Sequence, residues 1–170
     1  MEKTAGEKIA GAWVDRWESA SPEQTLAWGK LLSRLLRPGD LLCLYGELGA
    51  GKTLLAQGIG RAWGVTDPIT SPTFTMIQEY RDQGFVHMDL YRLRRAEEAE
   101  GIGVWDFLQA DQLVVIEWPE ILEEALPAER IEVRLNGSGD QARRIELRLY
   151  GGTEERAEAW QKLKDMRNSS

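Results

Sequence analysis

Residues Gly46-Glu47-Leu48-Gly49-Ala50-Gly51-Lys52-Thr53 set two glycines, a lysine and a hydroxyl at the spacing G-x-x-x-x-G-K-[ST]. Glycines let such a backbone curl so that its N–H groups face phosphate oxygens, and the N-terminus of a following helix adds partial positive charge. Lys52 is placed to reach β- and γ-phosphates as a point charge. The Thr53 hydroxyl is placed to ligate the Mg²⁺ that bridges them. The whole stretch from Gly46 to Thr53 is therefore expected to cradle ATP·Mg²⁺. The guanine-reading Asn-Lys-x-Asp pattern is absent, since Asn136 and Asn168 are the only asparagines and neither begins it.

Phosphate chemistry also needs groups that support the metal and orient an attacking water. Glu117 follows the apolar run Leu113-Val114-Val115-Ile116, and Asp89 follows Val86-His87-Met88. Both acids are thus expected at strand ends. Metal support suits Glu117. Asp89 is expected to orient water, to act as the base or to share the metal, and spacing alone does not separate these roles. Thr70-Ser71-Pro72-Thr73-Phe74-Thr75 lies where loops that sense the nucleotide state occur, so its hydroxyls, Thr73 among them, are candidates for reading the γ-phosphate. An ordinary turn is the competing reading of that segment. His87, the lone histidine, reads as a core or strand-edge residue rather than a catalytic one.

These side chains need a scaffold that puts a strand, a glycine loop and a helix in succession. Leu41-Leu42-Cys43-Leu44-Tyr45 is a continuous apolar run, which suits a strand buried on both faces. After Thr53, Leu55, Ile59, Ala62 and Trp63 return at helical spacing, and Gly64 falls where a left-handed cap would end the helix. Upstream, Ser21-Pro22-Glu23-Gln24 reads as a helix start with Ser21 as N-cap and Gln24 returning the capping-box bond. Ile131 to Leu135 and Ile145 to Leu149 alternate apolar and charged residues around a Gly-rich turn, the pattern of a hairpin with one wet face.

The expected fold is α/β: a three-layer P-loop NTPase-like domain with a mixed, mainly parallel central sheet, the P-loop strand in its middle, and an antiparallel C-terminal hairpin. One domain is expected for 170 residues. Its expected parts are an N-terminal extension (1–20), the ATPase domain (21–150) and a C-terminal tail (151–170), either a short docked helix or frayed.

A net charge of -7 argues against a free-standing nucleic-acid binder, which needs clustered Lys and Arg. The single cysteine, Cys43, sits inside the apolar run, which fits a reducing compartment. No stretch approaches the roughly 20 apolar residues of a membrane span, and the N-terminal residues have no apolar signal core. A cytoplasmic location without membrane contact is the expectation.

Together with Gly46 to Thr53, the segments Ser71-Pro72-Thr73-Phe74-Thr75, His87-Met88-Asp89-Leu90-Tyr91-Arg92-Leu93 and Ile116-Glu117-Trp118-Pro119-Glu120 resemble the TsaE family, also called YjeE. That resemblance implies an ATPase required for making threonylcarbamoyladenosine beside the anticodon of tRNA. It implies an accessory role, in which hydrolysis resets a complex of TsaD and TsaB and tRNA is met only through that complex. By motif, Lys52 and Thr53 match the family's phosphate and Mg²⁺ residues, Glu117 its acidic metal residue and Asp89 its essential aspartate. Trp118 matches a tryptophan near the nucleotide, and Thr25 more loosely a position near the base. The alternative from another class is a P-loop small-molecule kinase, which would need an acceptor pocket and an arginine-bearing lid; the dense arginines Arg92, Arg94 and Arg95 instead follow Asp89 directly.

Overall fold

A computed structural model of the chain describes residues 8, 9 and 11–169. Its eight strands are β1 (Lys8–Ile9), β2 (Ala12–Ser19), β3 (Leu41–Gly46), β4 (Ile77–Tyr80), β5 (Phe85–Asp89), β6 (Leu113–Glu117), β7 (Arg130–Asn136) and β8 (Arg143–Tyr150). They form one sheet in the order β1-β2-β8-β7-β3-β6-β5-β4. β3 runs parallel to both β6 and β7, and β6 parallel to β5, so the phosphate-loop strand is flanked on both sides by parallel partners. Toward each edge the pairing turns antiparallel: β7 with β8, β8 with β2, and β5 with β4.

The apolar run of β3 explains the layering, because successive side chains of a strand point to opposite faces. Leu42 and Leu44 enter a core with α1 (Pro22–Leu32), α2 (Lys52–Trp63) and α5 (Glu154–Asn168). Leu41, Cys43 and Tyr45 enter a second core with α3 (Glu97–Gly101), α4 (Val104–Gln109) and the 3-10 turn Pro119–Ala125. The result is the expected three-layer arrangement. Burial pushes the Cys43 thiol far above its ordinary range, which leaves it an apolar core residue.

Ser21 caps α1 as expected, its hydroxyl accepting from Gln24 N–H at 3.1 Å. The return bond differs: Gln24 Oε1 accepts from Ala20 N–H at 2.6 Å, one residue before the cap. Gly64 closes α2 in the left-handed region with φ 103°.

Residue 20 is no boundary of the fold, contrary to the reading of 1–20 as an extension. β2 pairs along its full length with β8, and Trp17 is buried in the α1 core. Residues 1–7 and 10 of that segment lie outside the described residues. Of the segment 151–170, residue 170 lies outside the described residues, and Glu154–Asn168 forms α5, whose Trp160 and Leu163 are buried against the same core. Arg156 ties it down further, donating to Leu35 O and to both carboxylate oxygens of Asp40. Among the described residues no helix is long and apolar enough to cross a membrane.

Candidate functional site

The loop between β3 and α2 begins where the β3 backbone is crowded by its neighbour. A Cβ on Gly46 would sit 2.8 Å from Leu135 O, so only glycine allows β3 to pass β7 at that point. Gly51 then takes φ 105° as the N-cap of α2 and offers no side-chain cap. The first-turn N–H groups of α2 are therefore left to the cavity in front of them. Arg143, at the start of β8, braces the loop from behind by donating to Ala50 O at 3.1 Å and Gly49 O at 3.3 Å.

Strand order brings the acids to this loop. β5 and β6 are in register with Asp89 opposite Glu117, and β6 is in register with β3, so both carboxylates emerge at the same end of the sheet. Thr53 Oγ1 donates to Glu117, with oxygens at 3.1 and 3.2 Å. Because that single proton is committed, the Thr53 oxygen lone pairs stay free for a cation. Asp89 accepts from Ser71 Oγ at 3.1 Å, Thr73 Oγ1 at 3.3 Å and Tyr91 N–H at 3.0 Å. The Ser-Pro-Thr segment is thus anchored to the β5 carboxylate rather than being a free turn.

Lys52 is 4 % exposed and donates to Gly46 O and to Glu47 O at 3.0 Å. Burial holds its ammonium below the ordinary lysine value, an effect opposed by the nearby Glu117, Glu120 and Asp89 charges. A cavity of about 340 Å³ collects these groups, lined among others by Lys52, Thr53, Thr73, Asp89, Glu117 and Trp118. A second cavity of about 260 Å³ adjoins it across Gly49, Gly51 and Leu54 and is walled by Ser19, Thr25 and Arg143.

Of the residues read from the sequence, Leu48, Gly49, Gly51, Lys52, Thr53, Thr73, Asp89, Glu117 and Trp118 line the first cavity, and Thr25 lines the second. Gly46, Glu47 and Ala50 form the backbone behind it: Gly46 and Glu47 hold the Lys52 ammonium, and Glu47 O accepts from Ala50 N–H. Sequence reasoning missed Ser19, Leu54, Tyr91 and Arg143 as site residues. Tyr91 sits two residues after Asp89 and could have been suspected; nothing in the local pattern marks Arg143. His87, read from the sequence as a core or strand-edge residue, is fully buried in β5, and its Nε2 lies 2.6 Å from Glu117 Oε2 in the floor of the site.

The donors present are hard oxygens from a hydroxyl and carboxylates, the set Mg²⁺ takes. Among the described residues no group of three or more His, Cys, Asp or Glu could hold a metal by itself. Of that hydroxyl and those carboxylates, Thr53 and Glu117 are the two that meet directly at the cavity.

A parallel-centred sheet with a glycine loop running from its middle strand into a helix, and a carboxylate on the neighbouring strand end, defines a protein of the P-loop class. The sequence model described as "Threonylcarbamoyl adenosine biosynthesis protein TsaE" matches residues 19–145. The chain belongs to the TsaE family. It is 38% identical over 138 residues to the tRNA threonylcarbamoyladenosine biosynthesis protein TsaE of Bacillus subtilis, covering 80% of this chain and 86% of that one. It is 36% identical over 131 residues to the TsaE of Treponema pallidum, covering 76% and 97%. The crystal structure of Bacillus subtilis YdiB superposes with a TM-score of 0.76 at 30% identity, covering 92% of this chain and 97% of that one.

Proposed function

We propose that this chain binds ATP with Mg²⁺ in the joined cavities and hydrolyses it to reset a TsaB–TsaD complex during threonylcarbamoylation of tRNA. The observation that carries this reading is the bond from Thr53 to Glu117, which joins the phosphate-loop hydroxyl to a strand-end carboxylate. A glycine turn that only connected strand to helix would have no use for a buried carboxylate at that point.

Lys52 leaves the Gly46 and Glu47 carbonyls for the β- and γ-phosphates, where its charge is matched. Thr53 keeps its proton on Glu117 and turns its lone pairs to the metal, which when bound neutralises charge on the phosphates. Asp89 is the acceptor for a proton of the attacking water once Ser71 and Thr73 give up their bonds to it and turn to the γ-phosphate. The bond formed is from water oxygen to the γ-phosphorus and the bond broken is to the bridging oxygen, giving ADP and phosphate. Ser19 and Thr25 face the end of the nucleotide away from the phosphates.

In the free chain Asp89 already accepts three hydrogen bonds, those of Ser71 and Thr73 both on Oδ2, which supports slow turnover without a partner. Leu48, Phe74 and Tyr91 are the exposed large apolar residues among those described, and all three belong to the loops around the cavity mouth. A protein partner there would both bury them and reorder the Ser71 to Thr75 loop. Such a role belongs in the cytoplasm, where tRNA is modified. The test is phosphate release with and without TsaB and TsaD, beside nucleotide titrations. Weak activity alone with clear stimulation is expected; fast activity independent of partners would overturn the proposal.

A further inference from the structure

His87 occupies the middle of β5, between Phe85 and Asp89 on the face that packs toward α2, and it is fully buried. An apolar side chain would be the default at such a position. A buried imidazole there costs free energy unless its nitrogens are bonded. Nε2 is bonded, at 2.6 Å from Glu117 Oε2, whereas Nδ1 is buried and has no partner among the described residues. The ring is therefore retained although only one of its nitrogens is satisfied.

Glu117 stands diagonally across from His87, since His87 pairs with Val115 and Asp89 with Glu117. Diagonal neighbours on adjacent strands are within reach of long side chains. The carboxylate is consequently gripped from two sides, by Thr53 at the cavity and by His87 beneath. A carboxylate can only accept, so the bridging proton belongs to Nε2.

We propose that His87 is a positioning residue, its Nε2–H fixing the Glu117 carboxylate so that Thr53 meets it with lone pairs turned outward to Mg²⁺. This rests on the nucleotide reading above. A partner that orients a metal-site carboxylate in this way is worth about 10–100-fold in metal affinity. His87→Phe keeps the ring volume and removes the bond; His87→Gln keeps an amide N–H at a comparable reach.

The experiment compares ATP affinity with and without Mg²⁺ in wild type and both variants. The expected result is unchanged metal-free affinity in all three, with the Mg²⁺-dependent gain reduced about tenfold or more in His87→Phe and largely restored in His87→Gln. A full gain in His87→Phe would overturn the role of His87 while leaving the nucleotide reading intact. Absence of any Mg²⁺-dependent gain in wild type would overturn both. Should the His87 variants fail to fold, untagged wild type and Glu117→Ala still decide, because the one histidine of the chain gives a single set of ring nitrogen signals. An exchange-protected Nε2–H that shifts on adding Mg²⁺·ATP and is lost in Glu117→Ala is expected. A ring signal indifferent to both would remove the proposal.

Discussion

Lys52 Nζ lies 4.0 Å from the centre of the Trp118 ring while it donates to the carbonyls of Gly46 and Glu47. Trp118 reaches that position through a left-handed backbone, φ 58° and ψ 54°, directly after β6 ends at Glu117. Such a conformation costs a non-glycine residue of order 1–3 kcal/mol and persists only where surroundings enforce it. Here the turn lays the indole face over the ammonium, and the Tyr91 ring supports it from 4.9 Å. The lysine is thus held in place by weak partners that a phosphate can displace.

Lys52→Ala should therefore lose nucleotide affinity whether or not Mg²⁺ is present. Charge-assisted bonds are worth about 1.5–3 kcal/mol, which converts to about ten- to hundredfold. Thr53→Ala should lose mainly the Mg²⁺-dependent part. Titrations with and without the metal check both, and wild-type affinity in Lys52→Ala would remove the phosphate assignment.

The pH response follows from the depressed Lys52 value, which burial causes. Phosphate favours the charged amine, so affinity should be highest below the lowered folded value. It should fall as pH rises through that value, starting before the ordinary 10.5. Folding stability should move the other way over the same window, because the unfolded chain there binds the extra proton. Lys52→Arg, always charged, should flatten the binding profile; an equal slope in that variant would assign the pH effect elsewhere.

Asp89→Ala and Glu117→Ala should separate binding from turnover. Each is expected to cut TsaB–TsaD-stimulated phosphate release by about two orders of magnitude or more, the usual worth of a positioned acid or base. ATP affinity should fall less than turnover in both, and in Glu117→Ala only in its Mg²⁺-dependent part. Asp89→Ala also unlatches Ser71 and Thr73, so the Ser-Pro-Thr segment should become more sensitive to limited proteolysis. Full stimulation in either variant would show that the chemistry lies elsewhere.

The close crossing of α1 and α2 offers a test of the scaffold. A Cβ on Gly58 would come within 2.2 Å of Leu26 O, and one on Gly29 within 2.5 Å of Leu55 O. Gly58→Ala should cost about 1–3 kcal/mol of stability, as overpacking does. Because α1 carries Thr25 to the second cavity, nucleotide affinity should drop as well. Chemical denaturation and titration measure the two effects, and a neutral Gly58→Ala would mean that the helices separate freely.

Much of the site was legible because its parts are local. The glycine spacing, the apolar run before it and the helical period after it lie within about two dozen residues, and each acid was betrayed by the apolar strand it ends. The family resemblance then added Trp118 and Thr25, which no spacing marks.

Other features depended on residues distant along the chain, where local periodicity carries no signal. β2 was hidden because its α1-facing side mixes Trp13 and Trp17 with Asp15 and Ser19, which spoils a strict alternation. Asp15 is tolerated there only because Trp17 Nε1 donates to it at 2.7 Å and Arg167, from the far end of the chain, at 2.6 Å. Likewise, the brace of Arg143 on the phosphate loop spans 93 residues, and the grip of His87 on Glu117 requires β5 to lie beside β6 in one register. By itself the sequence determined the phosphate loop, the elements around it and the kind of chemistry they suit. Only the tertiary structure decided which chain ends complete the core and which buried partner holds the site carboxylate, because strand order and register bring those groups together across long stretches of chain.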